Sequence, residues 1–434
     1  MIYDVAIIGG GPGGYTAAFR AREYGLSVIL FEKAEIGGTC LNRGCVPTKY
    51  LAHVAEMNMQ LLDMKTYGIQ VENKGIDFQQ TQCRNYEIVS TLREGLSEQL
   101  LLEKIEVVFG TAKVNGNKSI ICNGLNYEAN NIIIATGSIP AHIKGKKSIT
   151  SNEALVLDEI PASVSIIGGG VIAVELAEIF NGLGSLVDIY IRGERILRKW
   201  DRDIALGITQ SMKKRNIKIH TKCSNEILES VEDELVISAL GRQPFFEEMD
   251  SALFQVGKNC GILVDENGST GVSGIYAIGD VVEESPMLAH AAMAQGKKVV
   301  DYIAGNKVEK ETALISCIYT KPEVATVGMT EEEAKQNGIS AVVGKQVMYS
   351  NARTMIATKE RGFVKIVADA VSGKIIGAHF LCERATDLIV EAATAINNEE
   401  SVEQMLSTVR PHPGFSEAIT EALEIIRKKV KNEI

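Results

Sequence analysis

The chain has 434 residues, of which 45% are hydrophobic, and a formal net charge of −10. At roughly 100 to 200 residues per domain, this length predicts two or three globular domains. The negative charge disfavours nucleic acid as a partner, because the field of the protein repels a phosphate backbone. The chain opens directly on a buried-strand pattern, without signal-peptide features, and has no apolar run long enough to span a membrane. We therefore expect a cytoplasmic protein without a membrane segment.

The first predicted element is a dinucleotide-binding fold at the start of the chain. A β-branched strand leads into Gly9, Gly11 and Gly14, and an amphipathic helix and a second strand that ends in Glu32 follow. Gly9 permits the tight turn, Gly11 lets a pyrophosphate approach the backbone, and Gly14 lets helix and strand pack closely. Glu32 is placed to accept hydrogen bonds from an adenosine ribose.

Two cysteines, Cys40 and Cys45, follow within the stretch GGTCLNRGCVPTK. In a regular helix, residues five apart are roughly 8 Å from each other, beyond the roughly 4.4 to 6.8 Å between the Cα atoms of a disulfide. A bridge here requires a distorted turn, which Gly44 permits, and a distorted bridge is easier to reduce. This spacing, directly after a dinucleotide fold, favours a working redox pair over two structural thiols.

The chain has eight cysteines, too few for a disulfide scaffold at this length and in a compartment expected to be reducing. Those outside the pair occur singly, without a CxxC or His/Cys cluster, so we predict no metal site. We expect six small buried apolar residues: Cys83, Cys122, Cys223, Cys260, Cys317 and Cys382.

Two further stretches favour a flavin site. Residues 130–138 (NNIIIATGS) and 274–280 (GIYAIGD) each read as a hydrophobic strand that ends in a turn of small residues. Asp280 closes the second stretch, where it is placed to bind a ribityl hydroxyl. Each stretch alone is also typical of a buried strand followed by a turn. The prediction of a flavin site therefore depends on the occurrence of both stretches together with the other motifs.

The dinucleotide pattern occurs a second time, with Gly168 and Gly170 in the turn and Ala173 at the third position. Its second strand does not end in an acidic residue, and Arg192, Arg195 and Arg198 follow instead. A guanidinium binds a 2′-phosphate through two parallel hydrogen bonds, whereas an acid repels it. Although a single arginine here is typical of a solvated loop, the three together favour NADPH over NADH.

The last part of the chain predicts a β-hairpin and a His–Glu pair. GFVKIVADAVSGKIIGAHFL alternates apolar and polar residues around a Ser-Gly turn, which indicates a hairpin. In RPHPGFSEAITEAL, His412 precedes Glu417, which stands at the opening of a predicted helix. An imidazole can take the proton of an attacking thiol, and a carboxylate on its other nitrogen fixes tautomer and orientation. We expect ordinary surface or core residues at His53, His142, His220 and His379, and we expect His290 to belong to a helix on the flavin side.

Taken together, GGTCLNRGCVPTK, the two glycine-rich folds, ATGS, GIYAIGD and HPGFSE resemble the flavoprotein disulfide reductases, the family of dihydrolipoamide dehydrogenase and glutathione reductase. The resemblance runs from residue 1 to about residue 425, in the family's order. It implies an α/β fold with two Rossmann-like domains, for FAD and NAD(P), and a C-terminal α+β dimerisation domain. The implied bounds are 1–143 with 249–310 for FAD, 144–248 for NAD(P), and 311–434 for the interface.

The resemblance also implies roles for single residues. Cys45 would contact the flavin and Cys40 would attack the substrate disulfide, while Lys49 would lie by the flavin N5, paired with Glu175. His412 with Glu417 would serve the partner subunit, which requires a homodimer. The implied contacts with FAD are Gly9, Gly11, Gly14, Glu32, Thr39, Lys49, Ala112, Thr136, Gly137, Asp280 and Ala289. The remaining implied cofactor contacts are Gly168, Gly170, Ala173, Arg192, Arg198 and Gly241.

The signals for the individual family member disagree. CLNRGCVPTK and HFLCERATDLIVEAA most resemble dihydrolipoamide dehydrogenase, whereas Arg192 and Arg198 resemble the NADPH site of glutathione reductase. We rank the first activity above a glutathione-reductase-like reductase of a small or protein disulfide. A flavin-bound subunit without turnover is the distant alternative. The nicotinamide domain is also short after His220, so we expect a trimmed meander at that edge.

Overall fold

The computed structural model describes residues 1–72, 75–116, 118–143, 148–231, 233–246, 253–307, 312–357 and 362–432. The chain divides into two compact units. The first unit comprises Met1–His53, Lys74–Ile160 and Ile237–Lys310, and the second comprises Val54–Asn73, Pro161–Val236 and Glu311–Ile434. The three-domain division stays a prediction, because its boundaries at 143/144, 248/249 and 310/311 fall beside or within stretches outside the described residues.

The strands run in chain order as follows: β1 (Ile2–Ile8), β2 (Val28–Glu32), β3 (Glu106–Phe109), β4 (Ala112–Val114), β5 (Ser119–Cys122), β6 (Leu125–Ile134), β7 (Ser138–Pro140), β8 (Ser163–Ile167), β9 (Leu186–Tyr190), β10 (Lys218–His220), β11 (Leu235–Ser238), β12 (Arg242–Pro244), β13 (Ile275–Ala277), β14 (Ser316–Ile318), β15 (Glu323–Gly328), β16 (Ala341–Val347), β17 (Phe363–Asp369) and β18 (Ile375–Cys382).

The helices are α1 (Pro12–Glu23), α2 (Gly38–Arg43), α3 (Cys45–Asp63), α4 (Phe78–Leu102), α5 (Ser151–Ala154), α6 (Val171–Leu183), α7 (Arg202–Lys214), α8 (Asn225–Ser230), α9 (Ala289–Ile303), α10 (Glu331–Gln336), α11 (Ala352–Ala357), α12 (Ala385–Asn397), α13 (Val402–Leu406) and α14 (Glu417–Asn432).

The first unit is built on a sheet in the order β3-β2-β1-β6-β5-β4, with β13 also paired to β6. Strands β3, β2, β1, β6 and β13 run parallel, and every residue of β2 is buried, as in a strand covered on both faces. Ile8 pairs with Ile134, which in turn pairs with Ala277. Because the carboxyl ends of parallel strands meet at one edge, the turns after β1, β6 and β13 come together.

Helices α1 and α9 pack backbone to backbone in the same unit. A Cβ atom at Gly296 would lie 2.7 Å from the carbonyl oxygen of Gly13, closer than real Cβ contacts allow. The small residues in the two helices are therefore a packing requirement, and they hold the start of each helix beside the strand ends.

In the four-stranded sheet of order β10-β9-β8-β11, the parallel strands β8, β9 and β10 belong to the second unit. Between His220 and Leu235 the described residues form one short helix, α8, and no strand. The trimmed edge expected from the sequence is thus confirmed for those residues.

A five-stranded antiparallel sheet, β14-β15-β18-β17-β16, also belongs to the second unit. The predicted hairpin is confirmed, since β17 and β18 pair antiparallel around a turn that contains Gly373 at φ +70°. Helix α14 lies directly on β16, because a Cβ at Gly344 would be 1.9 Å from the carbonyl oxygen of Ala422. This packing fixes the start of α14, where Glu417 stands.

The prediction for the six single cysteines was partly wrong. Cys122, Cys223 and Cys382 are buried and Cys317 is half-buried, but Cys83 and Cys260 are exposed. Cys83 stands on a long helix of which one side faces solvent, and Cys260 occupies a left-handed turn at φ +63°. Composition alone does not reveal either position.

Candidate active site

The first glycine-rich turn is shaped by backbone contacts. Gly9 has φ +113°, and a Cβ there would lie 2.2 Å from the carbonyl oxygen of Ala135. A Cβ on Gly14 would lie 1.8 Å from the carbonyl oxygen of Gly9, so α1 is held against β1. At Gly11 the nearest atom to a built Cβ is the Cα of Gly38, 3.9 Å away. The turn therefore leaves open space at the start of α1, which fits the pyrophosphate of a dinucleotide such as FAD.

Glu32 ends β2 and is buried beside this turn. Its carboxylate accepts hydrogen bonds from the N–H of Gly10 at 2.8 Å and of Ala34 at 2.8 Å. Its carbonyl oxygen accepts from the N–H of Gly110, two residues before Ala112, which starts β4 in the core. Glu32 and Ala112 are thus brought to the same side of the sheet, and the fixed carboxylate is suited to bind a ribose.

The turns after β6 and β13 carry the next predicted contacts. Thr136 donates from Oγ1 to the carbonyl oxygen of Phe245 at 2.5 Å, and Gly137 has φ +73°. Asp280 follows β13 in a 3₁₀ turn, and its Oδ2 accepts a hydrogen bond from Ser138 Oγ at 2.6 Å. Ala289 is the first residue of α9. The register of β1, β6 and β13 brings these turns to the edge that also holds Gly9.

The cysteine pair lies where two helices break. Cys40 is in α2, and Cys45 is the first residue of α3, with Gly44 between the helices. A Cβ on Gly44 would lie 3.0 Å from the carbonyl oxygen of Thr39, which is tighter than most real contacts. Cys40 is half-buried and Cys45 is exposed, and no disulfide joins them in this structure, so the disulfide stays a prediction. The break between helices is the distortion that the spacing predicts.

The pKa of the Cys40 thiol is shifted. A hydrogen bond with Cys45, together with burial, raises the pKa of the Cys40 thiol, while the Lys49 ammonium acts against this increase. Cys45 lies at the start of α3, where the helix dipole favours a negative charge. Burial raises the pKa of Tyr15, whose phenol also senses the charges of both cysteines.

Arg242 is a site residue that the sequence argument missed. It follows Gly241, which has φ +101°, and opens β12. Arg242 donates from Nε to Ser138 Oγ at 2.7 Å and from Nη2 to the Ser138 carbonyl oxygen at 2.6 Å. Burial lowers the pKa of Arg242, and the charges of Asp280 and Cys45 oppose this shift. The signal in the sequence is a cation directly after a glycine at a strand junction.

The second glycine-rich turn has the same form in the second unit. Gly168 has φ +136°, and Gly170 caps α6 with no atom within 4 Å of a built Cβ. Ala173 is fully buried at the position of the third glycine. Glu175 is also buried, and its Oε1 accepts a hydrogen bond from the N–H of Tyr319 at 3.0 Å. The open space at Gly170 fits a second pyrophosphate.

A cavity of about 260 Å³ lies in the loop after β9, lined by Gly193, Glu194, Arg195 and Arg198. Arg195 donates from Nη2 to the carbonyl oxygen of Arg198 at 3.1 Å. The buried Nη1 of Arg195 has no hydrogen-bond partner within the described part of the chain. Arg192 and Arg198 are exposed residues of the same loop. A phosphate group is the kind of ligand that satisfies such a guanidinium.

His412 and Glu417 form the predicted pair. His412 Nδ1 lies 2.8 Å from Glu417 Oε1, and Glu417 Oε2 accepts the N–H of Gly414 at 2.8 Å. The hydrogen bond from the Gly414 N–H is the main cause that lowers the pKa of Glu417, and the hydrogen bond with His412 is the second. The carboxylate is therefore ionised near neutral pH. The shared proton then belongs to Nδ1, which leaves Nε2 as the proton acceptor. In this chain the His412 side chain is 77% exposed.

Cys40, Cys45 and Lys49 belong to the first unit, and Glu175, His412 and Glu417 belong to the second. The pairing of Lys49 with Glu175 therefore stays a prediction. None of the helices within the described residues is both long and apolar enough to cross a membrane. Over those same residues, no cluster of three or more His, Cys, Asp or Glu side chains is arranged to hold a metal ion.

Two family models match this chain. Residues 3–296 match the pyridine nucleotide-disulphide oxidoreductase model, and residues 314–423 match the dimerisation domain of the same family. The chain is 34% identical over 453 residues to a dihydrolipoyl dehydrogenase of Thermus scotoductus, with 98% of each chain covered. It is also 34% identical over 460 residues to one of Bacillus subtilis, with 97% of each covered.

A solved structure, LpdA of Mycobacterium tuberculosis, superposes with a TM-score of 0.89 at 24% identity and covers 98% of this chain and 99% of its own. At that identity the likeness concerns the fold, and it agrees with the α/β arrangement predicted from the sequence. The matches together confirm an FAD-dependent disulfide oxidoreductase that uses a nicotinamide dinucleotide. The chain belongs to the pyridine nucleotide-disulphide oxidoreductase family.

Proposed function

We propose that this protein is a dihydrolipoyl dehydrogenase-like enzyme that passes two electrons between a nicotinamide dinucleotide and a substrate disulfide through Cys40 and Cys45. The observation that carries the proposal is the thiol pair at the α2–α3 break, in which a hydrogen bond with Cys45 and burial raise the pKa of Cys40. The relatives that cover nearly the whole chain and carry that enzyme name support the choice of substrate class.

The resemblance to the family assigns the two thiols, with Cys40 as the one that attacks the substrate. Because the pKa of the Cys40 thiol is raised, this thiol needs a base before its sulfur can attack one sulfur of the substrate disulfide. The first substrate thiol leaves with a proton, and a mixed disulfide with Cys40 forms. Cys45, as a thiolate, then attacks the Cys40 sulfur, which closes the Cys40–Cys45 disulfide and releases the second thiol. Two electrons pass from the cysteine pair to the substrate.

His412 is the proposed base. Its Nε2 accepts the proton of Cys40 and returns it to the leaving thiol, while Glu417 holds the ring in the required tautomer. By resemblance to the family, this imidazole serves the site of a second copy of the chain, so we propose a homodimer. The dimerisation-domain match over residues 314–423 supports that assembly.

The other family residues keep the roles implied by the sequence. The glycine turn at Gly9 and Gly11 would hold the pyrophosphate of FAD, with Glu32 on the ribose and Asp280 on the ribityl chain. When bound, FAD supplies two-electron transfer between the nicotinamide and the cysteine pair. The Lys49 ammonium is suited to stabilise negative charge beside it, with Glu175 as its partner.

We also propose that the nicotinamide cofactor is NADPH or NADH, and that the second dinucleotide fold favours NADPH. The second strand lacks a terminal acid, and the loop that follows places Arg195 and Arg198 around a cavity of about 260 Å³. The unpartnered Nη1 of Arg195 is a specific feature in favour of a phosphate ligand. This feature also keeps a glutathione-reductase-like activity as the second candidate. The cytoplasmic location stays a prediction.

Steady-state rates with NADPH or NADH, each combined with lipoamide or glutathione disulfide, test the proposal. We expect NADPH with lipoamide to give the highest kcat/KM. Arg198→Leu should lower kcat/KM for NADPH by about 10- to 100-fold and leave NADH rates nearly unchanged, because the lost contact is a charged hydrogen bond. Arg202→Leu, an exposed arginine at the start of α7, is the matched control.

Anaerobic reduction of Cys40→Ser and Cys45→Ser tests the thiol assignment. Cys40→Ser should keep a long-wavelength absorbance from thiolate–flavin contact, and Cys45→Ser should lose it. The opposite pattern would reverse the two roles. A protein that binds FAD but shows neither this absorbance nor turnover with any of the four pairs would favour a flavin-bound subunit without catalysis.

A further inference from the structure

A chain of buried polar contacts connects β12 to the turn after β13. The guanidinium of Arg242 donates two hydrogen bonds to Ser138, one to the hydroxyl and one to the carbonyl oxygen. The Ser138 hydroxyl in turn donates to Asp280 Oδ2 at 2.6 Å. Ser138 is 8% exposed, and Arg242 is half-buried. The three residues lie in one compact unit, so this arrangement is internal to it.

The contacts give the guanidinium a fixed position. Two donors of one planar group reach two oxygens of one residue, which leaves little freedom for rotation. The Ser138 hydroxyl uses its one proton for Asp280, so it accepts from Arg242 with a lone pair. Moving any of the three side chains breaks a hydrogen bond of a buried group, which is costly.

The charges around Cys45 come from several elements. Tyr15 in α1 interacts electrostatically with both cysteines, Cys40 in α2 and Arg242 in β12 interact with Cys45, and Lys49 in α3 interacts with Cys40. Lys49 and Arg242 are the cations in this set. Burial lowers the pKa of Arg242, whereas Asp280 and Cys45 raise it, which means that a negative charge on Cys45 and the Arg242 cation stabilise each other.

We propose that Arg242 is a positioning residue that holds the Asp280 carboxylate through Ser138 and stabilises the Cys45 thiolate by its charge. Arg242 thereby sets the pH range in which the thiolate contacts the flavin. The inference rests on the proposed role of Cys45, and it adds a second cation to the Lys49 ammonium. Loss of Arg242 removes this cation and also leaves the Asp280 carboxylate without its neutralising partner.

A pH titration of the reduced holoenzyme tests the inference. Wild-type protein, Arg242→Gln, Arg242→Lys and Arg22→Gln are purified with FAD and reduced anaerobically with dithiothreitol. The long-wavelength absorbance is then recorded from pH 5 to pH 9. Arg242→Gln should raise the midpoint, the pH at which half of the long-wavelength absorbance has appeared, by about one unit. This is the lower end of the pKa shifts that a nearby opposite charge causes. Arg242→Lys, which keeps the cation, should stay within about 0.3 pH unit of wild type.

Arg22 is the matched control. It is half-buried in the same unit and also donates to two backbone oxygens, those of Glu103 at 2.8 Å and Leu26 at 2.7 Å. Arg22→Gln should not move the midpoint. An unchanged midpoint in Arg242→Gln would overturn the inference, as would equal shifts in Arg242→Lys and Arg242→Gln.

The result separates the inference from the proposed function. If the wild-type protein shows no long-wavelength absorbance at any pH, the proposed role of Cys45 fails and not the role of Arg242. If Arg242→Gln does not retain FAD, Arg242→Lys carries the test. A midpoint near wild type then supports the inference, and a shift of a full unit despite the retained cation contradicts it.

Discussion

Replacing His412 with alanine should slow disulfide exchange by a factor of about 10² to 10⁴, the usual contribution of a general base. The role of the base rests on the geometry of the pair. Glu417 is held by hydrogen bonds of 2.8 Å to His412 Nδ1 and 2.8 Å to the Gly414 N–H, so Nε2 is the free proton acceptor of the ring. Because the Cys40 thiol has a raised pKa, few molecules present the attacking thiolate without that acceptor.

Glu417→Gln should cause a smaller loss of about tenfold, since the amide oxygen still accepts from Nδ1–H but carries no charge. The pKa of Glu417 is lowered in the folded protein, so its effect is present above its ordinary pKa and is lost as the pH falls through the lower folded value. The gap between wild type and Glu417→Gln should therefore close in acid.

Stopped-flow absorbance separates the two half-reactions. Reduction by NADPH alone reports on the flavin and the nicotinamide site, and reoxidation by lipoamide reports on the thiols. His412→Ala should slow the second and leave the first nearly unchanged, and His142→Ala, an exposed histidine elsewhere, should change neither. Equal loss in both half-reactions of His412→Ala would refute the role given to this imidazole.

Three further changes test the scaffold. Gly14→Ala places a Cβ 1.8 Å from the Gly9 oxygen, so we expect a loss of about 1 to 3 kcal/mol or more in thermal unfolding, with lower flavin content. Gly170→Ala has open space and should keep Tm but raise KM for the nicotinamide cofactor about tenfold; an unchanged KM would argue against pyrophosphate contact there. Lys365→Met leaves buried Asp201, 2.8 Å away, without its cation and should cost about 3 to 5 kcal/mol in urea unfolding. Lys365 also contacts Asp203, and although burial acts to raise the pKa of Asp203, Lys345 and Lys365 lower it overall. The loss of unfolding free energy in Lys365→Met should therefore shrink as the pH falls below about 4, the ordinary pKa of Asp. A loss that stays constant with pH would contradict the pairing of Lys365 with Asp203.

Short-range patterns in the sequence were sufficient for much of the site. Gly9, Gly14 and Gly168 occupy positions that their spacing predicts, because a tight turn between a strand and a helix needs positive φ or an absent Cβ. The break at Gly44 followed from the distance between Cys40 and Cys45. The bond from His412 to Glu417 joins residues five apart at the opening of a helix, so its geometry is local as well.

The order of residues along the chain determined the two dinucleotide folds, the paired thiols and the arginines after the second fold, since each depends on turn chemistry or on strand and helix periodicity. Tertiary structure decided which distant groups meet. Arg242 reaches Ser138 across 104 residues, Glu175 reaches Tyr319 across 144, and Lys365 reaches Asp201 across 164. Those contacts depend on strand register and on which helix faces pack together, and no local spacing encodes either. Arg242, which we propose to stabilise the Cys45 thiolate, is therefore a residue that only folding brings to the site.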